Sequence, residues 1–328
     1  MKQHNNKVID SKALAIDNIK ELASRITQLK KKKIIPHIAV IAVGSDSQLT
    51  TESKQIQKAA EKAHMGFSLH HFKQAPNYQT LSQKIHALSL DKQIHGITIL
   101  KPVPSSLSAN DLSRCVAIAK DIDGTLIKST YTPPIAAAVF KILNSVYFRG
   151  ITKASQPKDP YSKLLVKWLK SKEIVLIGRG ETGGGLIAET FKKLHIPFII
   201  AHSQTSNLAE YSLKADIIIS AVGKPNIIKD SLIKPNVILI GVGMKKTDKG
   251  IVGDYETKNI SEKALFYTLS PQTVEGVHLA CLLENTVTAC IIQQRRIIKP
   301  VKIISTPRPT TQRHISHFTS SVWRRKSS

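Results

Sequence analysis

The chain has 328 residues, 41 % of them hydrophobic, and carries 48 Lys and Arg against 23 Asp and Glu, a formal net charge of +25. That composition excludes a disordered chain, the length predicts two cores rather than one, and the charge predicts polyanionic partners such as nucleic acid, phosphorylated small molecules or acidic membrane. Cys115, Cys281 and Cys290 are too few for a disulfide framework and lack metal-ligand spacing, so no metal site is expected and a reducing compartment, the cytoplasm, fits best. No apolar run reaches the length of a membrane span, and polar residues 1–6 lead into no signal-peptide core.

In chain order, residues 8–33 have a helical rhythm, with Ile9, Ala13, Ile16, Ile19, Leu22, Ile26 and Leu29 at three- and four-residue steps. A β-branched strand is predicted over 38–43, a helix over 49–64, a strand over 67–72, a helix over 80–90 and a strand over 96–100. Pro102 and Pro104 close that last strand, since proline cannot continue a ladder. A helix over 107–118 follows. Residues 141–170 show no strand period, and polar 154–162 holds two prolines, so 126–172 reads as a linker or insertion. Alternation then resumes, with strands over 174–177, 198–201, 217–221 and 237–240, helices over 186–194 and 206–214, and a long helix over 274–292. Residues 295–328 hold nine Lys or Arg and no acid, and read as a disordered tail. The pattern predicts an α/β protein of two α/β domains flanking a cleft, residues 1–125 (completed by the helix at about 274–294) and 173–273, the second of Rossmann type.

The second domain opens with a strand, then Gly178-Arg179-Gly180-Glu181-Thr182-Gly183-Gly184-Gly185, then a helix. A G-x-G-x-x-G turn in that context suits a dinucleotide, because the glycines permit close backbone approach and the helix N-terminus receives the pyrophosphate. An NAD site usually has a carboxylate at the end of the next strand. Here that strand runs into His202-Ser203-Gln204-Thr205. Arg179, His202, Ser203 and Thr205 suit a 2′-phosphate instead, so NADP is favoured.

Read in order, these pieces resemble the bifunctional methylenetetrahydrofolate dehydrogenase/methenyltetrahydrofolate cyclohydrolase family, FolD. The likeness runs from about Ile9 to Thr286. It rests on Lys120-Asp121-Ile122-Asp123-Gly124, Thr132-Pro133, Ala221-Val222-Gly223-Lys224-Pro225, Val252-Gly253-Asp254 and Leu282-Leu283-Glu284-Asn285-Thr286. The resemblance implies a homodimer formed through the cofactor domain, NADP as cofactor and a folate substrate whose pterin ring binds Asp123. It places Met244 near the nicotinamide, and Gly178, Gly180 and Gly184 at the phosphates. Nucleic acid is left as a partner only for the basic tail.

Several positions depart from the family pattern. The family has a lysine in Tyr-x-x-x-Lys after a serine. An ungapped alignment from Val43-Gly44 puts Glu52 and Ile56 there, which leaves no lysine. A two-residue shift aligns Ser47-Gln48-Leu49-Thr50 with Ser-Gln-Val-Tyr, and makes Lys54 the catalytic lysine and Thr50 the substitute for tyrosine. The shift is preferred because it recovers the serine and glutamine. Leu100 replaces the glutamine that orients the lysine, and the family's Pro-Gly-Gly-Val-Gly-Pro becomes Pro271-Gln272-Thr273-Val274-Glu275-Gly276, with Pro271 retained at the substrate. The implied activity is oxidation of 5,10-methylenetetrahydrofolate with NADP, then hydrolysis of the methenyl product with the hydrolysis weakened. The alternative is an impaired relative that binds NADP or folate without turnover.

Overall fold

The computed structural model describes residues 7–151, 157, 161–248, 250–270 and 273–298. The first half builds a three-stranded parallel sheet. Strand β1 (Val8–Ile9) leads into helix α1 (Ser11–Lys30). Then come β2 (His37–Val43), α2 (Ser47–Lys62), β3 (Gly66–Phe72), α3 (Tyr78–Leu90), β4 (Gly96–Ile99) and α4 (Ala109–Arg114). The strand order is β3-β2-β4. Side-chain caps start these helices: Asp46 accepts from the Gln48 N–H, Asn77 from Thr80 and Ser108 from Asp111. Strand β2 is buried along all but its first residue, as a strand covered on both faces must be. Its alternate residues divide between two cores, with Ile38, Val40 and Ala42 on one side and Ala39, Ile41 and Val43 on the other.

Helix α5 (Pro134–Tyr147) and helix α6 (Lys163–Lys170) connect to the second half. It comprises β5 (Ile174–Ile177), α7 (Gly184–Lys193), β6 (Ile199–Ala201), α8 (Leu208–Ser212), β7 (Ile217–Ser220) and β8 (Ile238–Gly241). A hairpin of β9 (Met244–Thr247) and β10 (Gly250–Gly253), α9 (Thr257–Ile260), β11 (Phe266–Thr268) and α10 (Thr273–Ile298) complete it. The six-stranded sheet runs β1-β11-β8-β7-β5-β6, parallel throughout. Strand order therefore reverses at β5, which lies between β6 and β7. That is the switch point where open α/β sheets bind ligands.

The structure changes the sequence reading at several places. Helix α5 lies in the stretch read as a linker, yet nine of its 14 residues are buried. Strands β1, β9, β10 and β11 had no sequence forecast. The helix expected over 107–118 stops at Arg114, and a short 3₁₀ turn covers Ile118–Lys120. Helix α10 runs to Ile298, so the tail expectation falls on residues 299–328, which lie outside the described residues. Residues 274–295 of α10 have the length and apolarity of a membrane span, contrary to the sequence reading, but half of that window is buried inside the protein.

The two halves exchange pieces. Val8 pairs with Tyr267 and Ile9 with Thr268, so the first strand closes the second sheet. Helix α10 buries Leu282, Leu283 and Val287 in the first core, and Val274, Val277 and Cys281 in the second.

Candidate active site

Asp123 sits just beyond the C-terminal end of β4. Its carboxylate accepts from Thr98 Oγ1 at 2.8 Å and from the Ile99 N–H at 3.4 Å. Its motif neighbours are structural. Lys120 is buried and donates through Nζ to the carbonyls of Leu88 at 3.0 Å and Asp91 at 2.5 Å, tying down the end of α3. Asp121 accepts from the Leu126 N–H at 3.0 Å. Gly124 takes φ +65°, and a Cβ there would lie 2.6 Å from the Tyr131 carbonyl, so no side chain fits. Of Lys-Asp-Ile-Asp-Gly, only Asp123 is left for a ligand.

The burial of α2 decides between the two alignments. Leu49, Ser53, Ile56 and Ala60 are its inward face, at four- and three-residue steps. Glu52 flanks that face and is half-buried. Burial, with Asp123 and Glu275 nearby, pushes its carboxyl up to about 7. Lys54 is exposed and stands about 160° around the helix from Glu52. Thr50 is exposed too. The preferred two-residue shift is therefore corrected: Lys54 and Thr50 turn away from Asp123, while the ungapped register sets Glu52 and Ile56 on the inner side. Ile56 is 2 % exposed and Leu100 3 %, both members of one apolar cluster with Ile122, Tyr131 and Leu282. In the ungapped register, two buried hydrocarbons stand at the positions of the family's lysine and its orienting glutamine.

Asp123 is likewise raised to about 7, first by burial, against the hydrogen bond from Thr98. Glu275 comes from the first turn of α10. Sequence reasoning missed Glu52 and Thr98 as neighbours of Asp123, and Glu275 as a neighbour of Glu52. The inward repeat of α2 was the available signal for Glu52. Pro271 lies outside the described residues.

At the second sheet, β5 is followed by Gly178 with φ +106°, whose N–H donates to the Ala201 carbonyl of β6 at 2.8 Å. A Cβ on Gly178 would strike the Ala221 carbonyl beyond β7, and one on Gly184 would strike the Gly178 carbonyl. A Cβ on Gly180 would meet no atom within 4 Å. The turn is therefore tight beneath and open above, which fits a dinucleotide phosphate laid over the start of α7. Arg179 follows Gly178, and Nη2 donates to Gln204 Oε1 at 3.1 Å. Among His202, Ser203, Gln204 and Thr205 there is no carboxylate, and the His202 N–H donates to Thr205 Oγ1 at 2.9 Å. Met244 is 39 % exposed, and its carbonyl would lie 3.0 Å from a Cβ on Gly223. The structure thus brings Gly178, Arg179, Gly180, Gly184, His202, Ser203, Thr205 and Met244 to one end of the sheet.

That loop depends on Asp254, which is fully buried and accepts from Ser220 Oγ at 2.6 Å and from the N–H groups of Val222 and Lys224 at 3.0 Å each. The Val-Gly-Asp motif is thereby an internal brace for Ala-Val-Gly-Lys-Pro. Two surface cavities lie elsewhere. One, of about 400 Å³, is lined by Tyr147, Trp168 and Phe266, and the other, of about 530 Å³, by Leu90, Cys115 and Ile118.

The catalytic-domain profile of the tetrahydrofolate dehydrogenase/cyclohydrolase family matches residues 9–123, and its NAD(P)-binding-domain profile matches residues 163–294. The chain belongs to the FolD family. Bifunctional protein FolD of Bacillus pumilus is 30 % identical over 290 residues, covering 85 % of this chain and 96 % of its own length. That of Anoxybacillus flavithermus is 30 % identical over 294 residues, covering 88 % and 99 %. The FolD crystal structure from Campylobacter jejuni superposes with a TM-score of 0.78 at 26 % identity, over 87 % of this chain and 99 % of that one. A FolD from Trypanosoma brucei, with a TM-score of 0.77 at 22 % identity over 88 % and 98 %, shares the fold. In FolD terms the two profiles fall on the two parallel sheets, with α5 bridging them.

Proposed function

We propose that this FolD member oxidises 5,10-methylenetetrahydrofolate to 5,10-methenyltetrahydrofolate with NADP, and that hydrolysis to 10-formyltetrahydrofolate is the weaker of its two activities. The imbalance rests on the ungapped register, which puts Ile56 at the family's lysine position, and its support is that Ile56 packs in the same apolar cluster as Leu100. Ring opening needs protons moved to and from the substrate, and neither side chain can carry one. Hydride transfer chiefly needs two rings held face to face at reaction distance. NADP, when bound, supplies the hydride acceptor. The glycine turn and α7 would receive its phosphates, Arg179, His202, Ser203 and Thr205 its ribose phosphate, and Met244 would stand beside its nicotinamide. Asp123 would take the paired N–H donors of the pterin ring through a carboxylate already oriented by Thr98.

A homodimer in a reducing cytoplasm completes the proposal. Its supports are Ile199 and Ile200 on the sheet-edge strand β6, 39 % and 37 % exposed, and three free, buried cysteines. The test is a direct comparison of two rates with purified protein: NADP reduction in the presence of methylenetetrahydrofolate, and loss of methenyltetrahydrofolate absorbance. The expected result is measurable reduction that exceeds hydrolysis. Faster hydrolysis overturns the imbalance, and absence of both rates with tight NADPH binding supports the non-catalytic alternative.

A further inference from the structure

We infer that Gln204 determines how strongly the cofactor site prefers a 2′-phosphorylated dinucleotide over an unphosphorylated one, by positioning Arg179. The inference rests on the dinucleotide reading of the glycine turn and goes beyond it, to a residue of the turn after β6 to which that reading gives no role.

Three observations carry it. First, Arg179 carries the fixed positive charge in the turn after β5, and its Nη2 is held by Gln204 Oε1 at 3.1 Å. Second, the backbone of Gln204 is itself held. Its N–H donates to His202 Nδ1 at 3.2 Å, the His202 N–H donates to Thr205 Oγ1 at 2.9 Å, and the Thr205 N–H donates to the His202 carbonyl at 2.8 Å. The turn 202–205 is therefore a closed unit from which the Gln204 side chain reaches across to the neighbouring turn. Third, the two turns share a base, since the Gly178 N–H donates to the Ala201 carbonyl at 2.8 Å. The guanidinium is thus fixed beyond the C-terminal end of β6, where ribose recognition occurs in this fold.

The chemistry of position 204 then sets selectivity. A glutamine oxygen accepts from Arg179 without neutralising it, so the guanidinium keeps its charge and its remaining donors for a phosphate. An arginine in its place would add a second cation but repel the first. A glutamate would pair with Arg179 and also offer a carboxylate to an unmodified ribose, which reverses the preference. Freed of any partner, the arginine side chain pays its rotamer entropy on binding.

The test measures binding, not turnover. NADPH and NADH are titrated separately into full-length protein and followed by nicotinamide fluorescence, for the native chain, Gln204→Ala, Gln204→Glu and Arg179→Ala. For Gln204→Ala, NADPH affinity is expected to fall about fivefold with NADH changed less than about twofold, the size expected of an oriented, exposed charge contact. Gln204→Glu is expected to bind NADH more tightly than NADPH, and Arg179→Ala to remove the preference. Equal loss of both cofactors in Gln204→Ala would mean the residue only shapes the turn, and overturns the inference, as does no change in either. Failure of the native chain to bind either cofactor would overturn the dinucleotide reading itself. Circular dichroism of each variant confirms that the fold survives.

Discussion

Glu52 and Asp123 are two carboxyls that ordinary solvation would keep ionised, yet each is raised to about 7, with burial the leading cause. The consequence for stability has a definite sign. Between roughly pH 4.5 and 7 the folded protein holds protons that the unfolded chain has released, so stability falls as pH rises through that window. Gln at position 52 removes one of the two charges without changing shape. Glu52→Gln is expected to raise unfolding stability by about 2 kcal/mol at pH 8 and to match the native protein near pH 4. Urea midpoints at the two pH values check this, and a loss of stability at pH 8 would contradict it. These residues also show where sequence reading failed. Ser47-Gln48 matched two letters of a motif and pulled the alignment by two positions. The buried repeat Leu49, Ser53, Ile56 contains the physical information, because a helix can turn only one face to the core. By contrast, the glycine turn was legible in full. At Gly178 and Gly184 close contacts admit no Cβ and leave glycine as the sole residue, while Gly180 keeps the space above the turn open.

Among the elements, α10 carries the most connections. Asn285 donates through Nδ2 to the carbonyls of Ile122 at 2.8 Å and Thr132 at 2.9 Å, which flank Asp123 and its turn. One residue earlier, Glu284 pairs with Lys141 of α5 at 2.9 Å and with Arg25 of α1 at 3.5 Å. Replacing Asn285 by Ala leaves two carbonyls without partners and is expected to cost about 2–3 kcal/mol of stability. Folate binding is expected to weaken more than NADPH binding, because the freed segment is the one that carries Asp123. Thermal unfolding and separate ligand titrations measure both effects. Equal loss of the two ligands would point to general loosening instead. Element identity was legible where strands were buried, β-branched runs, as in β2, β5 and β7. It was not legible for β1 and β11, whose two and three residues become strands only through their pairing. Helix α5 escaped for the opposite reason. Nine of its 14 residues are buried, and its polar positions Lys141, Asn144 and Ser145 all fall in its second half, so its first half reads as a plain apolar run.

For the whole molecule, the sequence indicated two α/β units and an anionic ligand set, and the family match supplies both. It did not indicate that the units are threaded through each other. Strand β1 belongs to the second sheet although α1, which follows it at once, packs along α10 and contributes Leu22 and Ile26 to the first core. A chain divided between residues 150 and 163 would leave the first fragment without α10 and the second without β1 and α5. Each fragment alone is expected to aggregate, and the two expressed together to co-purify and bind NADPH. A monomeric, cooperatively unfolding fragment of residues 1–150 would refute that expectation. The same threading bears on the order of folding. Units usually form from the N-terminal end during synthesis. Here the first sheet has an open side until residues 273–298 are made, so a sheet synthesised before the second one is finished only after it.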